Sequence, residues 1–222
     1  LRVRGDDNAL VFAGPLALGR SSANMTWTER VRAKTDPSLV VLNGKLTADD
    51  LISLGFPILK YASGPVGVEA RSTGVGLDIN KTDVKLDFAN AAINLKRGFW
   101  KKPVGAPTTV DFAVARQPDR SLVMNNVRAR GGDINVNGTV QVSDVGDLLK
   151  ADLTQLKLPG TADGRVTARR DDAGVLQVAM NGSFLNIGAF FAPEPPKAPS
   201  ADQMLATART YEEKTALSPA YE

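Results

Sequence analysis

Apolar and polar residues alternate one by one along most of this chain. In "VKLDF", Val84, Leu86 and Phe88 fall on one side of an extended backbone, and Lys85 and Asp87 fall on the other. The same period of two runs through Val66, Val68 and Ala70, through Val75, Leu77 and Ile79, and through Val110, Phe112 and Val114. It returns in Ile134, Val136, Val140 and Val142, and again in Leu176, Val178 and Met180. Such alternation marks strands with one wet face. Ile93 and Leu95 switch parity, which predicts a turn or bulge near Asn90. "ARSTG", "INKTD" and "ARGGD" supply turn residues between the runs. The connections are short, so sequence neighbours should pair antiparallel as a meander.

The first forty residues read as strands too. Met25, Trp27 and Val31 alternate with polar partners, and "SLVVLNGKL" has the look of a buried strand. One helix is predicted before the tail, over "TADDLISLGF". Thr47 is placed to cap it, Asp49 and Asp50 suit its first turn, and Gly55 suits its end. A short helical turn is expected in "VGDLLKADL". The composition then divides the chain. Residues 1–191 form the β domain, and residues 192–222 form a Pro-rich linker, "APEPPKAPS", followed by a helical tail with Met204, Leu205, Ala208 and Tyr211 at helical spacing. The chain opens on Leu1 in mid-pattern, as a fragment of something longer would.

Strands with one apolar face need a second layer, and the few short helices cannot provide it. The choices are a closed β-sandwich, a barrel, or a curved sheet whose apolar side is filled by ligand. Alternation does not separate them, and by itself it favours a closed form. Hydrophobic residues make up 43% of the chain and aromatics only 6%, so aliphatic side chains must line whatever is buried.

The chain has no Cys and no His, which removes thiol and imidazole chemistry and most transition-metal sites. No cofactor motif is present, and no enzymatic role is expected. The net charge is +3, too weak for the basic stripe of a nucleic-acid binder. No apolar run approaches the ~20 residues of a spanning helix.

A resemblance narrows the choice. In "LNGKLTADDLISLGFPILKYASGPVGVEARSTGVGLDINKTDVKLDFANAAINL", Gly44, Leu46, Asp50, Leu51, Leu54 and Gly55 precede Ser63, Gly64, Pro65 and Val66. That order resembles the AsmA-like family, in particular the large envelope proteins that include the YhdP and TamB relatives. "FWKKPVGAPTTVDFAV", "INVNGTVQVSD…LLKADLTQLKL" and "GVLQVAMNGSFLNIGAFF" continue the likeness over residues roughly 40–190. Asn186 stands where many relatives carry Asp. The resemblance implies an elongated, curved antiparallel sheet forming a hydrophobic β-groove. It implies a periplasmic module of a protein anchored in the inner membrane elsewhere in its chain, with phospholipid as its partner and envelope proteins as further contacts. On this basis the groove lining comprises Val66, Val68, Val75, Leu77, Ile79, Val84, Leu86, Phe88, Val110, Phe112, Val114, Ile134, Val136, Val140, Leu176 and Val178. The alternative is a closed β-sandwich serving as a structural or assembly module.

Other motifs are weaker. Trp27 and Trp100 are aromatic candidates for a headgroup contact or ordinary packing. "RGFWKKP" (Arg97, Phe99, Trp100, Lys101 and Lys102) combines cations and rings that suit phosphate or a solvated turn. The pairs Asp6/Asp7, Asp49/Asp50 and Asp171/Asp172 are expected in turns and caps, because adjacent residues on a strand point apart and no loop has EF-hand spacing. "RGD" at Arg4–Asp6 carries no weight.

Overall fold

The computed structural model describes residues 1–53, 56, 61–76, 78–95, 100–186 and 188. Leu77, Leu54, Gly55, Arg97, Phe99 and the whole tail from 189 onward lie outside the described residues. The predicted terminal helix falls there.

The protein is mostly antiparallel β. The strands are β1 (Arg2–Gly5), β2 (Ala9–Leu18), β3 (Ser21–Arg30), β4 (Ser38–Thr47), β5 (Ala62–Ser63), β6 (Pro65–Val75), β7 (Asp78–Asp87) and β8 (Ala92–Asn94). They continue with β9 (Lys101–Lys102), β10 (Thr109–Arg116), β11 (Leu122–Gly131), β12 (Ile134–Val142), β13 (Leu148–Leu158), β14 (Ala162–Arg170) and β15 (Leu176–Leu185). One helix, α1 (Ala48–Ser53), follows β4. Twelve strands make a single open sheet in the order β1-β2-β3-β4-β6-β7-β10-β11-β12-β13-β14-β15, and β5, β8 and β9 make a small second sheet. The expected meander is present. The closed sandwich and barrel are not: the large sheet begins at β1 and ends at β15, and among the described residues its only companion sheet has three short strands.

Directly paired residues share a face. One row of such pairs runs Leu16–Ala23–Gly44–Val68–Leu86–Val110–Ala129–Val136–Leu156–Gly164–Gly182, with no polar side chain from β2 to β15. At ~4.8 Å between strands, the row spans about 48 Å. On the opposite face the neighbouring row reads Ser22–Lys45–Gly67–Asp87–Thr109–Arg130–Asn135–Lys157–Asp163. There Arg130, Asn135, Asn137 and Gln155 form a hydrogen-bonded network. The sheet thus has one apolar and one polar face.

Two excursions interrupt the meander, residues 48–64 after β4 and residues 88–108 after β7. Both leave the same end of the sheet, where Thr47 pairs with Pro65 and Asp87 with Thr109. They meet as α1 and the β5–β8–β9 sheet, and together form a cap over the apolar face. Leu51 of α1 is 2% exposed, and Ile52, Phe56, Ala62 and Ile93 pack against the same core as Leu46, Val66 and Phe88.

The predicted helix is found over Ala48–Ser53, and its expected end at Leu54 and Gly55 lies outside the described residues. Thr47 Oγ1 accepts the Asp50 N–H at 3.1 Å as the cap. The helical turn expected in "VGDLLKADL" is instead a tight turn. Ser143 N donates to Asp147 O at 2.8 Å, and β13 starts at Leu148. The Ser143 hydroxyl, accepting the Asp147 N–H, closes that turn in place of a helix.

Candidate functional site

The apolar face is covered unevenly. Beneath the cap, Val66 is 0% exposed, and Val68, Val84, Leu86, Phe88 and Phe112 are all buried. Val110, Val114, Ile134, Val136, Val140 and Leu176 are half-buried on the same face. Towards the sheet's margins the face meets solvent: Leu10 is 39% and Val178 58% exposed.

Of the expected lining residues, one lies at the exposed margin of the apolar face and one on the opposite face. Ile79 pairs with Gly74 across a bulge and is 44% exposed at the hairpin end of β7. Val75 lies on the polar face. β6 keeps one parity from Val66 to Gly74, so the next residue points the other way, opposite Asp78, and is 58% exposed. The alternation of "VGLDI" belongs to a hairpin end and not to a fresh strand.

Between cap and sheet lies a partly enclosed cleft of about 200 Å³. Phe56, Tyr61, Ala62, Ile93 and Leu95 come from the cap side. Leu86, Phe88, Val110, Phe112, Met124, Val127 and Val140 form the floor. Pattern reading did not select Phe56, Tyr61, Ala62, Met124 or Val127 for this role. The available signals were the parity switch at Ile93 and Leu95 and the phenylalanine that ends the predicted helical stretch. Larger hollows of about 660 and 530 Å³ lie on the polar face, lined mainly by charged and amide groups such as Arg128, Asn137, Lys150, Glu69 and Lys85. Their linings mix polar and apolar surface, whereas that of the smaller cleft is almost wholly apolar, so the smaller cleft is the better match to the one-sided sequence.

Two polar anchors hold the cap. The Asp50 carboxylate accepts the Ser21 hydroxyl at 2.5 Å, the Thr47 hydroxyl at 2.7 Å and the Arg20 N–H at 3.2 Å. These bonds, led by those from Ser21 and Thr47, hold its carboxyl below the usual carboxylate range. Gly19 makes the approach possible: its φ is +58°, and a Cβ there would lie 2.0 Å from Asp50 Oδ1. On the other side, Lys102 is 2% exposed and its ammonium donates to the carbonyls of Phe88 (2.6 Å), Ala91 (2.7 Å) and Pro103 (2.9 Å). Burial pushes its pKa down, and the Asp87 charge opposes that shift. In "RGFWKKP", Lys102 is therefore committed to backbone and not presented to phosphate. Trp27 packs on Phe12 with ring centroids 5.5 Å apart, and its indole N–H donates to Glu29 at 3.3 Å.

One carboxylate of each acidic pair serves a turn or a cap, Asp50 through its bond to Thr47. Asp6 Oδ1 accepts from Asn8 N and Ala9 N, and Asp171 Oδ1 accepts from Val175 N. Among the described residues no three carboxylates gather as a metal set, and no helix is long and apolar enough to cross a membrane. Compared with known proteins, the chain matches no family model, no curated protein and no solved structure.

Proposed function

We propose that this chain is a non-catalytic lipid-transfer module, whose apolar sheet face works as a groove that shields phospholipid acyl chains. It would act in the periplasm as part of an envelope protein anchored in the inner membrane, as in the AsmA-like proteins that its sequence resembles. The observation that carries the reading is the unbroken apolar row from Leu16 to Gly182, whose flanks no protein layer covers among the described residues. An acyl chain of about sixteen carbons resists water by roughly 12 kcal/mol, at ~0.8 kcal/mol per CH₂. A continuous aliphatic surface lowers that barrier without specific chemistry, which fits a chain with neither His nor Cys.

The burial of Leu46, Leu51 and Val66 beneath the cap favours a second reading, in which the cap and sheet are simply the core of a structural or assembly module. Native mass spectrometry and lipid extraction of the purified 222-residue chain distinguish the two. Co-purified phospholipid, or its uptake from labelled vesicles, is expected for the transfer module. A chain that stays lipid-free in both assays is a structural module.

A further inference from the structure

The cleft under the cap has a definite size as well as a polarity. At about 200 Å³ it exceeds only slightly the dry, Leu/Ile/Phe-lined cavities of roughly 150 Å³ that take up one benzene. If a methylene occupies about as much space as a water molecule, ~30 Å³, the cleft holds one hydrocarbon strand of about six or seven carbons. Two strands side by side do not fit. Among the described residues the lining carries one hydroxyl, that of Tyr61, and the buried ammonium of Lys102 in the cap is occupied by three carbonyls.

Resting on the lipid-carrying reading, the geometry points to single-tail occupancy beneath the cap: the end of one acyl chain lies between Phe56 and Ile93 on one side and Phe112 and Met124 on the other, and a second tail is excluded. A diacyl phospholipid must then splay, with one tail under the cap and its partner on the uncovered flank toward Val178. A single-tailed amphiphile satisfies the site by itself. Selectivity in this module thus comes from the cap, and the open sheet is permissive.

The test uses the full 222-residue chain and a palmitate analogue carrying a photoreactive diazirine at its methyl end. After irradiation, peptide mapping is expected to find adducts concentrated on segments containing Phe56, Phe112 or Met124. Ala62→Trp fills the cleft from the cap and should lower those adducts by about tenfold, with adducts on flank segments bearing Leu10 or Val178 retained. Val140→Phe fills it from the floor and should do the same, which guards against misfolding of the first variant. If neither substitution changes the adduct pattern, no tail sits under the cap and the single-tail assignment is lost, although lipid carriage stands. If wild type yields no adducts anywhere on the apolar face, lipid carriage itself is lost.

Discussion

The ring of Phe56 meets the ring of Phe112 edge-on, with centroids 6.5 Å apart and planes at 64°. One residue belongs to the cap and the other to the middle of the sheet, so the contact joins the two layers. Edge-on aromatic pairs contribute about 0.5–1.5 kcal/mol beyond their buried area. Phe56 is half-buried, so Phe56→Ala is expected to cost about 2 kcal/mol in urea unfolding, less than a fully buried ring would. Phe56→Leu should recover much of that loss.

Charge on the apolar face is expected to act differently by position. Leu86 is 5% exposed and lies under the cap. Leu86→Asp buries an unpaired carboxylate and should destabilise the domain by about 3 kcal/mol or more. Val178 is 58% exposed on the flank. Val178→Asp should stay within about 0.5 kcal/mol of wild type in stability while reducing lipid uptake from vesicles. Equal losses of stability for both variants would contradict the uneven covering of the face.

The Asp50 anchor carries a pH signature. Its folded pKa lies below the ordinary carboxylate value of 3.8. Its contribution to stability is therefore fully present above the unfolded pKa and is lost as pH falls through the folded one. Asp50→Asn should lower the unfolding midpoint at pH 7, and the gap to wild type should narrow below about pH 4. Calorimetry at a series of pH values reads this directly; a gap that is constant down to pH 2 would remove the carboxylate from the account.

Lys102→Met keeps the apolar stem and removes the ammonium. Three carbonyls lose their donor, so an unfolding penalty of about 2 kcal/mol or more is expected in urea titration. Hydrogen exchange should rise first at Ala91, whose N–H closes onto Phe88 O at 3.0 Å in the same turn.

The legible part of this fold is the part governed by period two. Val84, Leu86 and Phe88 declare a common face in sequence, and register extends that face from strand to strand. Bulges broke the rule. Met124 and Val127 have opposite parity yet both line the cleft, because the register shifts between them and Asn126 takes a φ of 53°. Val75 misled because parity carries no information past a hairpin end. The cap was illegible for another reason. Ser21 lies 29 residues from Asp50, and a pattern seen within a short window does not reveal that their side chains bond. Asp50 was thus legible as a first-turn acid but not as the tie between α1 and the β2–β3 turn.

Both cap excursions depart from one end of the strands, and the other end is closed by tight turns such as residues 171–175. There Gly174 N donates to Asp171 O at 2.9 Å, and Val175 is 57% exposed. The molecule therefore has a serviceable margin remote from its roof. A fluorophore, epitope or tether grafted between Ala173 and Gly174 would report on the module without touching the cap or the contact between Phe56 and Phe112.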